Sequence, residues 1–139
     1  MSKSTLWESG LISLVFMNFD FPGVGDAGGL RGSVASGGLW ISLHTADPGE
    51  AGDQTTNEVT YGSYSRMIVM RDSVQWNPQF NWPTNFPKGT SGSEVATYLG
   101  IGTSESGAGK LLYRAQLAAP LNCGLGIIPR ITYGSVTES

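Results

Sequence analysis

Twenty glycines and seven prolines are scattered along this chain as punctuation, and that spacing constrains the fold more than any other feature. Long helices do not run through such interruptions, whereas strands of about five or six residues fit between them. A chain of 139 residues holds one core, and a second domain would have little to bury. Punctuation and size together predict an all-β fold of seven or eight short strands, packed as an antiparallel β-sandwich. A jelly roll is the closure expected, because it limits exposed edges, and an immunoglobulin-like sandwich competes with it.

The N-terminal part departs from this pattern. Leu6, Trp7, Leu11, Leu14 and Val15 recur at three- and four-residue intervals behind Ser4, which predicts a short helix over Ser4 to Phe16 with Ser4 as its N-cap. A strand over Leu11 to Phe16 is the alternative, since Gly10 weakens a helix. From Phe21 through Gly38 the chain is rich in Gly, Ala and Ser, which reads as an irregular arm whose order depends on a partner. Residues 1–38 are therefore expected to form a helix and arm, and residues 39–139 the sandwich, within a single structural domain.

From Leu39 the period becomes two. Leu39, Ile41 and Leu43 point one way while Trp40, Ser42 and His44 point the other, the clearest strand in the chain. Thr45 to Gly62, with its Asp47-Pro48-Gly49 turn and scattered acids, reads as a long exposed loop. Further strands are expected at Tyr64 to Arg71 with Val74 and Trp76, at Val95 to Ile101, at Leu111 to Leu117 and at Ile127 to Tyr133. Pro78, Pro83 and Pro87 confine any strand near Phe80 to Phe86 to an edge.

Charge excludes several functions. Charged residues are only 14%, the net charge is -3, and the 8 Lys and Arg never cluster, which argues against a surface that neutralises phosphates. No nucleic-acid partner is expected. No apolar run approaches the roughly 18 residues needed to cross a bilayer, and no export signal is evident, so no membrane partner is expected either. Cys123 is the only cysteine, so no internal disulfide can form and zinc would lack its usual thiolates.

Motifs with apparent chemistry do not hold together. Gly23 to Gly28 matches the dinucleotide-binding glycine pattern, but without a preceding strand and a following helix to meet the pyrophosphate. Gly102 to Lys110 has the wrong spacing for a phosphate loop. His44, the one histidine, lies three residues from Asp47, yet no serine sits in a nucleophile elbow; it reads as a strand-end residue whose ring bonds locally. Asp47, Glu50, Asp53 and Glu58 offer oxygen ligands for Ca²⁺ without EF-hand spacing, so a solvated loop or a salt-bridging contact with a neighbour's arginine is preferred. Trp76, Phe80, Trp82 and Phe86 suit core-edge packing or a protein interface better than sugar stacking. No catalytic residue, cofactor or metal site is assigned.

The run Leu39-Trp40-Ile41-Ser42-Leu43-His44-Thr45-Ala46-Asp47-Pro48-Gly49-Glu50-Ala51-Gly52-Asp53-Gln54 resembles a signature shared by small structural proteins of tailed phages, often labelled tail-fibre or decoration proteins. Asn57-Glu58-Val59, Tyr61 through Arg66, Leu99-Gly100-Ile101-Gly102-Thr103 and Ser106 through Tyr113 extend the resemblance over most of the chain after the arm. The resemblance implies a non-enzymatic virion protein that cements the capsid by binding the outer surface of the major capsid protein, and in that role a homodimer or trimer matched to local two- or three-fold axes is expected. A tail or tail-fibre component is the alternative it leaves open, and a carbohydrate-binding module stands behind both. Trp7, Phe16, Arg31, Asp47, Glu50, Asp53 and Trp82 are the side chains marked for partner contact.

Overall fold

In a computed structural model, which describes residues 1–72 and 85–131, the chain is mostly β with one N-terminal helix. Two compact units divide the described residues: 1–38 with 70–72, and 39–69 with 85–131.

Helix α1 spans Thr5–Met17, close to the predicted limits. Ser4 caps it in the expected way, its side chain accepting from the Trp7 N–H, while Asn18 ends it in the left-handed conformation that asparagine tolerates. The arm that follows holds no helix or strand, as expected, and is tied down by hydrogen bonds of its own. Asn18 exchanges two hydrogen bonds with Ser33, donating to its carbonyl at 2.9 Å and accepting from its N–H at 2.7 Å. Phe21 and Leu30 pair through both backbone groups, and the Asp20 carboxylate accepts from Gly32 N–H at 2.8 Å. Arg71 closes the unit, donating to the Leu14 and Val15 carbonyls at 2.7 and 2.6 Å and to Ser33 and Ser36. Short polar side chains in a glycine-rich segment thus supply the partners that a sheet or helix would otherwise give its backbone. Among the described residues no helix is long and apolar enough to cross a membrane.

The second unit is built on one antiparallel sheet. Strands β1 (Gly38–His44), β2 (Met67–Met70), β3 (Ser93–Gly102) and β4 (Leu111–Gly124) lie in the order β2-β1-β3-β4. Ile41 opposes Ile101 and Leu43 opposes Leu99, so the apolar set of β1 meets its counterpart on β3 on one face. Leu39, Ile41, Leu43 and Ile101 are buried there, each contributing about 1.5–3 kcal/mol by leaving water.

The described residues contain this one sheet, with neither a second sheet nor the jelly-roll order among them. Ile127 to Tyr133, expected as a strand, contributes only an isolated bridge from Arg130 to Asn85 within the described span, because Gly126 has positive φ and Pro129 has no N–H to pair. The strand expected at Val74 and Trp76 lies outside the described residues. β4 is longer than expected and irregular: Gln116 opposes Tyr98 and Leu121 opposes Ala96, so residues 117–120 bulge out against Thr97 alone. A bulge carrying Pro120 blunts this edge against further strand pairing.

Candidate functional site

The opposite face of the sheet is where the chain places its buried polar groups. Ser42 and His44 point to it from β1, and their partners across the ladder are Gly100 and Tyr98. Gly100 and Gly102 leave this face of β3 without side chains, and the resulting groove is filled from above. A Cβ on Gly100 would lie 2.5 Å from His44 Nε2 and 2.6 Å from Ser42 Oγ; one on Gly102 would lie 2.2 Å from Gln54 Cδ. Isolated glycines in a strand mark such close approaches.

His44 is wholly buried and both ring nitrogens are used. Nδ1 lies 2.7 Å from the Thr56 carbonyl, which can only accept, so Nδ1 carries the proton. Nε2 therefore accepts from the Ser42 hydroxyl at 2.8 Å. Burial holds His44 below the ordinary imidazole range, opposed by the Thr56 carbonyl and the Glu58 carboxylate and reinforced by Arg66. This is the locally bonded strand-end histidine that the sequence suggests. Ser42 and His44 are both 0% exposed, so their contact resembles a nucleophile and base without giving either access to a substrate.

Gln54, also fully buried, donates to the Ser104 carbonyl at 3.3 Å and accepts from the Ser104 N–H at 2.9 Å, tying the loop of residues 45–62 to the turn after β3. Glu58 and Arg66 form a bidentate pair, Nε to Oε1 at 2.6 Å and Nη2 to Oε2 at 2.7 Å, with side chains 14% and 3% exposed. Arg66 donates further to the Ser104 and Gly107 carbonyls, and Tyr64 donates to Glu58 while accepting from the Leu43 N–H. The Glu58 hydrogen bonds hold the guanidinium firmly protonated, and burial pushes the Tyr64 phenol well above its usual value. Tyr64 stacks on buried Phe86 and meets Tyr61 edge-on, while Tyr61, its phenol pushed up to about 12 chiefly by burial, donates to the Pro87 carbonyl. Beside the ion pair a cleft of about 380 Å³ opens between residues 64–66 and 105–107.

Three of the loop's acids, Asp47, Asp53 and Glu58, are taken up singly. Asp47 receives both contacts of Arg114 Nη1, at 2.7 and 2.8 Å, and accepts from Gly49 N–H. Asp53 Oδ1 accepts from the N–H and hydroxyl of Thr55, which hold its carboxyl below the usual range. With Glu58 on Arg66, these carboxylates do not converge, and among the described residues no three metal-ligating side chains come together. Arg114→Ala is expected to cost no more than about 1 kcal/mol, since exposed ion pairs contribute little. A urea midpoint measurement checks this, and a loss above about 2 kcal/mol would show that Asp47 anchors the loop.

The residues marked for contact are distributed as follows. Trp7 is half-buried, its ring 5.4 Å from that of Phe21, and Arg31 is exposed and paired with Asp26 at 3.1 Å. Phe16 is 1% exposed and is not a surface group. These three belong to the first unit, whereas Asp47, Glu50 and Asp53 share the loop of the second, with Glu50 exposed. Trp82, with Trp76 and Phe80, lies outside the described residues. Gln54, Glu58, Arg66 and the two glycines of β3 all lie in the segments that carry the resemblance, but the resemblance assigns none of them a structural role; the glycines interrupting an apolar strand were the available signal.

Comparison with known proteins matches residues 30–139 to the family described as podophage GP4 fiber I protein gp80. No curated protein matches the chain. Helix α1 precedes the matched span, and the polar groups Ser42, His44, Gln54, Glu58 and Arg66 lie within it. A family match over residues 30–139, most of the chain, shows that this protein belongs to the podophage GP4 fiber I protein gp80 family of phage structural proteins.

Proposed function

We propose that this protein is a non-enzymatic structural subunit of a podophage virion and is mounted as part of a fibre. The family match over residues 30–139 is the observation that carries this reading. The disposition of the polar groups supports it: the residues that look chemically capable are joined to one another inside the fold, where they shape a surface. A second reading is favoured by the likeness of residues 39–54 to decoration proteins. In it, copies form a homodimer or trimer on the outside of the capsid and stabilise the shell by binding the major capsid protein.

Copy number separates the two. Quantitative mass spectrometry of purified particles, scaled to the major capsid protein, is expected to give a few dozen copies or fewer for a fibre. Hundreds of copies in a simple ratio to the capsid protein would replace the fibre reading with decoration, and absence from purified particles would sink both.

A further inference from the structure

The cleft beside the Glu58–Arg66 pair lies within the second unit, and its floor and rim differ in how far their hydrogen-bonding capacity is used. The floor is spent. Both Glu58 oxygens face Arg66, the Tyr64 hydroxyl is engaged as donor and acceptor, and four of the five guanidinium N–H groups go to Glu58, Ser104 and Gly107. These bonds tie the two lips of the cleft together, since Arg66 belongs to one and the Gly107 carbonyl to the other. Gly107 turns its lip with φ 74°, a conformation open to glycine. The rim is unspent. Ser65, Glu105 and Ser106 are exposed, and among the described residues their side chains make no hydrogen bond or ion pair.

Charge and chemistry narrow what can enter. Glu58 and Glu105 against Arg66 leave the lining one net negative charge, so a phosphate or carboxylate ligand would meet two like charges and a guanidinium already paired. A wholly apolar ligand would cover the Glu105 carboxylate and two serine hydroxyls without giving them partners. A molecule rich in hydroxyls, with C–H faces to lie on the Tyr64 ring, meets both demands, and a cleft of about 380 Å³ is at the small end of ligand sites. We propose that this cleft binds an uncharged mono- or disaccharide unit. The Glu105 carboxylate accepts from a pair of neighbouring ring hydroxyls, Ser65 and Ser106 exchange hydrogen bonds with the next ones, and the remaining Nη1 N–H of Arg66 is the donor that the floor can add. Because the floor is braced before any ligand arrives, little order has to be imposed on binding. Affinity stays in the millimolar range, since an open cleft exchanges water hydrogen bonds for ligand ones at small net gain.

Amide NMR spectra of the full chain, titrated with free glucose, galactose, mannose and N-acetylglucosamine in turn, test the site. At least one of these sugars is expected to shift the amides of residues 64–66 and 105–107 saturably while those of β1 stay in place. Glu105→Gln should weaken that sugar about five- to ten-fold and Ser106→Ala about two- to five-fold. Both side chains are exposed and bonded to nothing in the fold, so the variants keep the parent spectrum elsewhere. Glu8→Gln, which removes an acid outside the lining, should leave the affinity unchanged. No saturable shift with any of these sugars, shifts confined to other residues, or unaltered affinity in both cleft variants would overturn the proposal. Inorganic phosphate binding there in place of the sugars would show an available cation and overturn it as well. Binding of Nα-acetyl-lysine alone would make the cleft a socket for a partner's basic side chain instead.

Discussion

Arg66→Leu is expected to destabilise the second unit by about 3–5 kcal/mol, the largest effect of any single polar substitution in the described residues, because it leaves a carboxylate without its counter-charge in a nearly closed site. Arg66 is 5% exposed and its guanidinium reaches four acceptor atoms: both oxygens of Glu58 and the carbonyls of Ser104 and Gly107. Leucine fills some of the volume and satisfies none of them. Taking Glu58 away as well, as in Glu58→Leu/Arg66→Leu, should cost less than the sum of the single changes, since the stranded charge disappears, but the Ser104 and Gly107 carbonyls stay unpaired. Urea unfolding followed by tryptophan fluorescence supplies the numbers. A loss below 1 kcal/mol for Arg66→Leu, with an unchanged m-value, would mean that water replaces the pair and that the site is open in solution.

The second large effect is expected at a position with no side chain. Gly102→Ala should cost about 2–4 kcal/mol, combining overpacking with the lost bonds of a displaced Gln54. The three atoms that a new Cβ would meet first, at 2.2 to 2.6 Å, all belong to Gln54, whose amide occupies the groove and bonds Ser104 on both sides. Relief is specific: Gln54→Ala clears the collision, so the double variant should be more stable than the two single losses predict, with a coupling of about 1–3 kcal/mol. Strict additivity would show that the backbone of β3 moves to accept the methyl and that the fit between loop and strand is looser than the geometry implies. Both measurements probe the same claim, that Gln54 and the Glu58–Arg66 pair hold a loop on a sheet.

Much of the architecture was legible before any coordinates. Leu39 to His44 alternates with period two, and a strand buried on its apolar face needs only that alternation to be found. Ser4, followed by apolar residues at helical spacing, marks a capped helix for equally local reasons. The acids of residues 45–62 and the turn at Asp47 likewise announced a loop, because Asp, Pro and Gly act on the backbone within a few positions of themselves. The glycine-rich arm is irregular as its composition implies, but the ties that hold it, Asn18 to Ser33 and Arg71 to the end of α1, follow from no local rule because they link residues so far apart.

For the candidate site the division is sharper. The sequence by itself determined that His44 ends a strand, that Val95 to Ile101 forms another, and that acids are scattered through the loop after His44, since each statement concerns neighbours along the chain. Only the tertiary structure decided that these three features meet: the β1–β3 register sets His44 beside Tyr98 and Ser42 beside Gly100, and the missing side chains make the groove that His44 and Gln54 enter. The same holds for Glu58 and Arg66, which are separate charged residues along the chain until the turn after β3 closes over them. Burial turns such a pair from a weak surface contact into a strong constraint on the fold, and burial belongs to the assembled unit rather than to any segment of it.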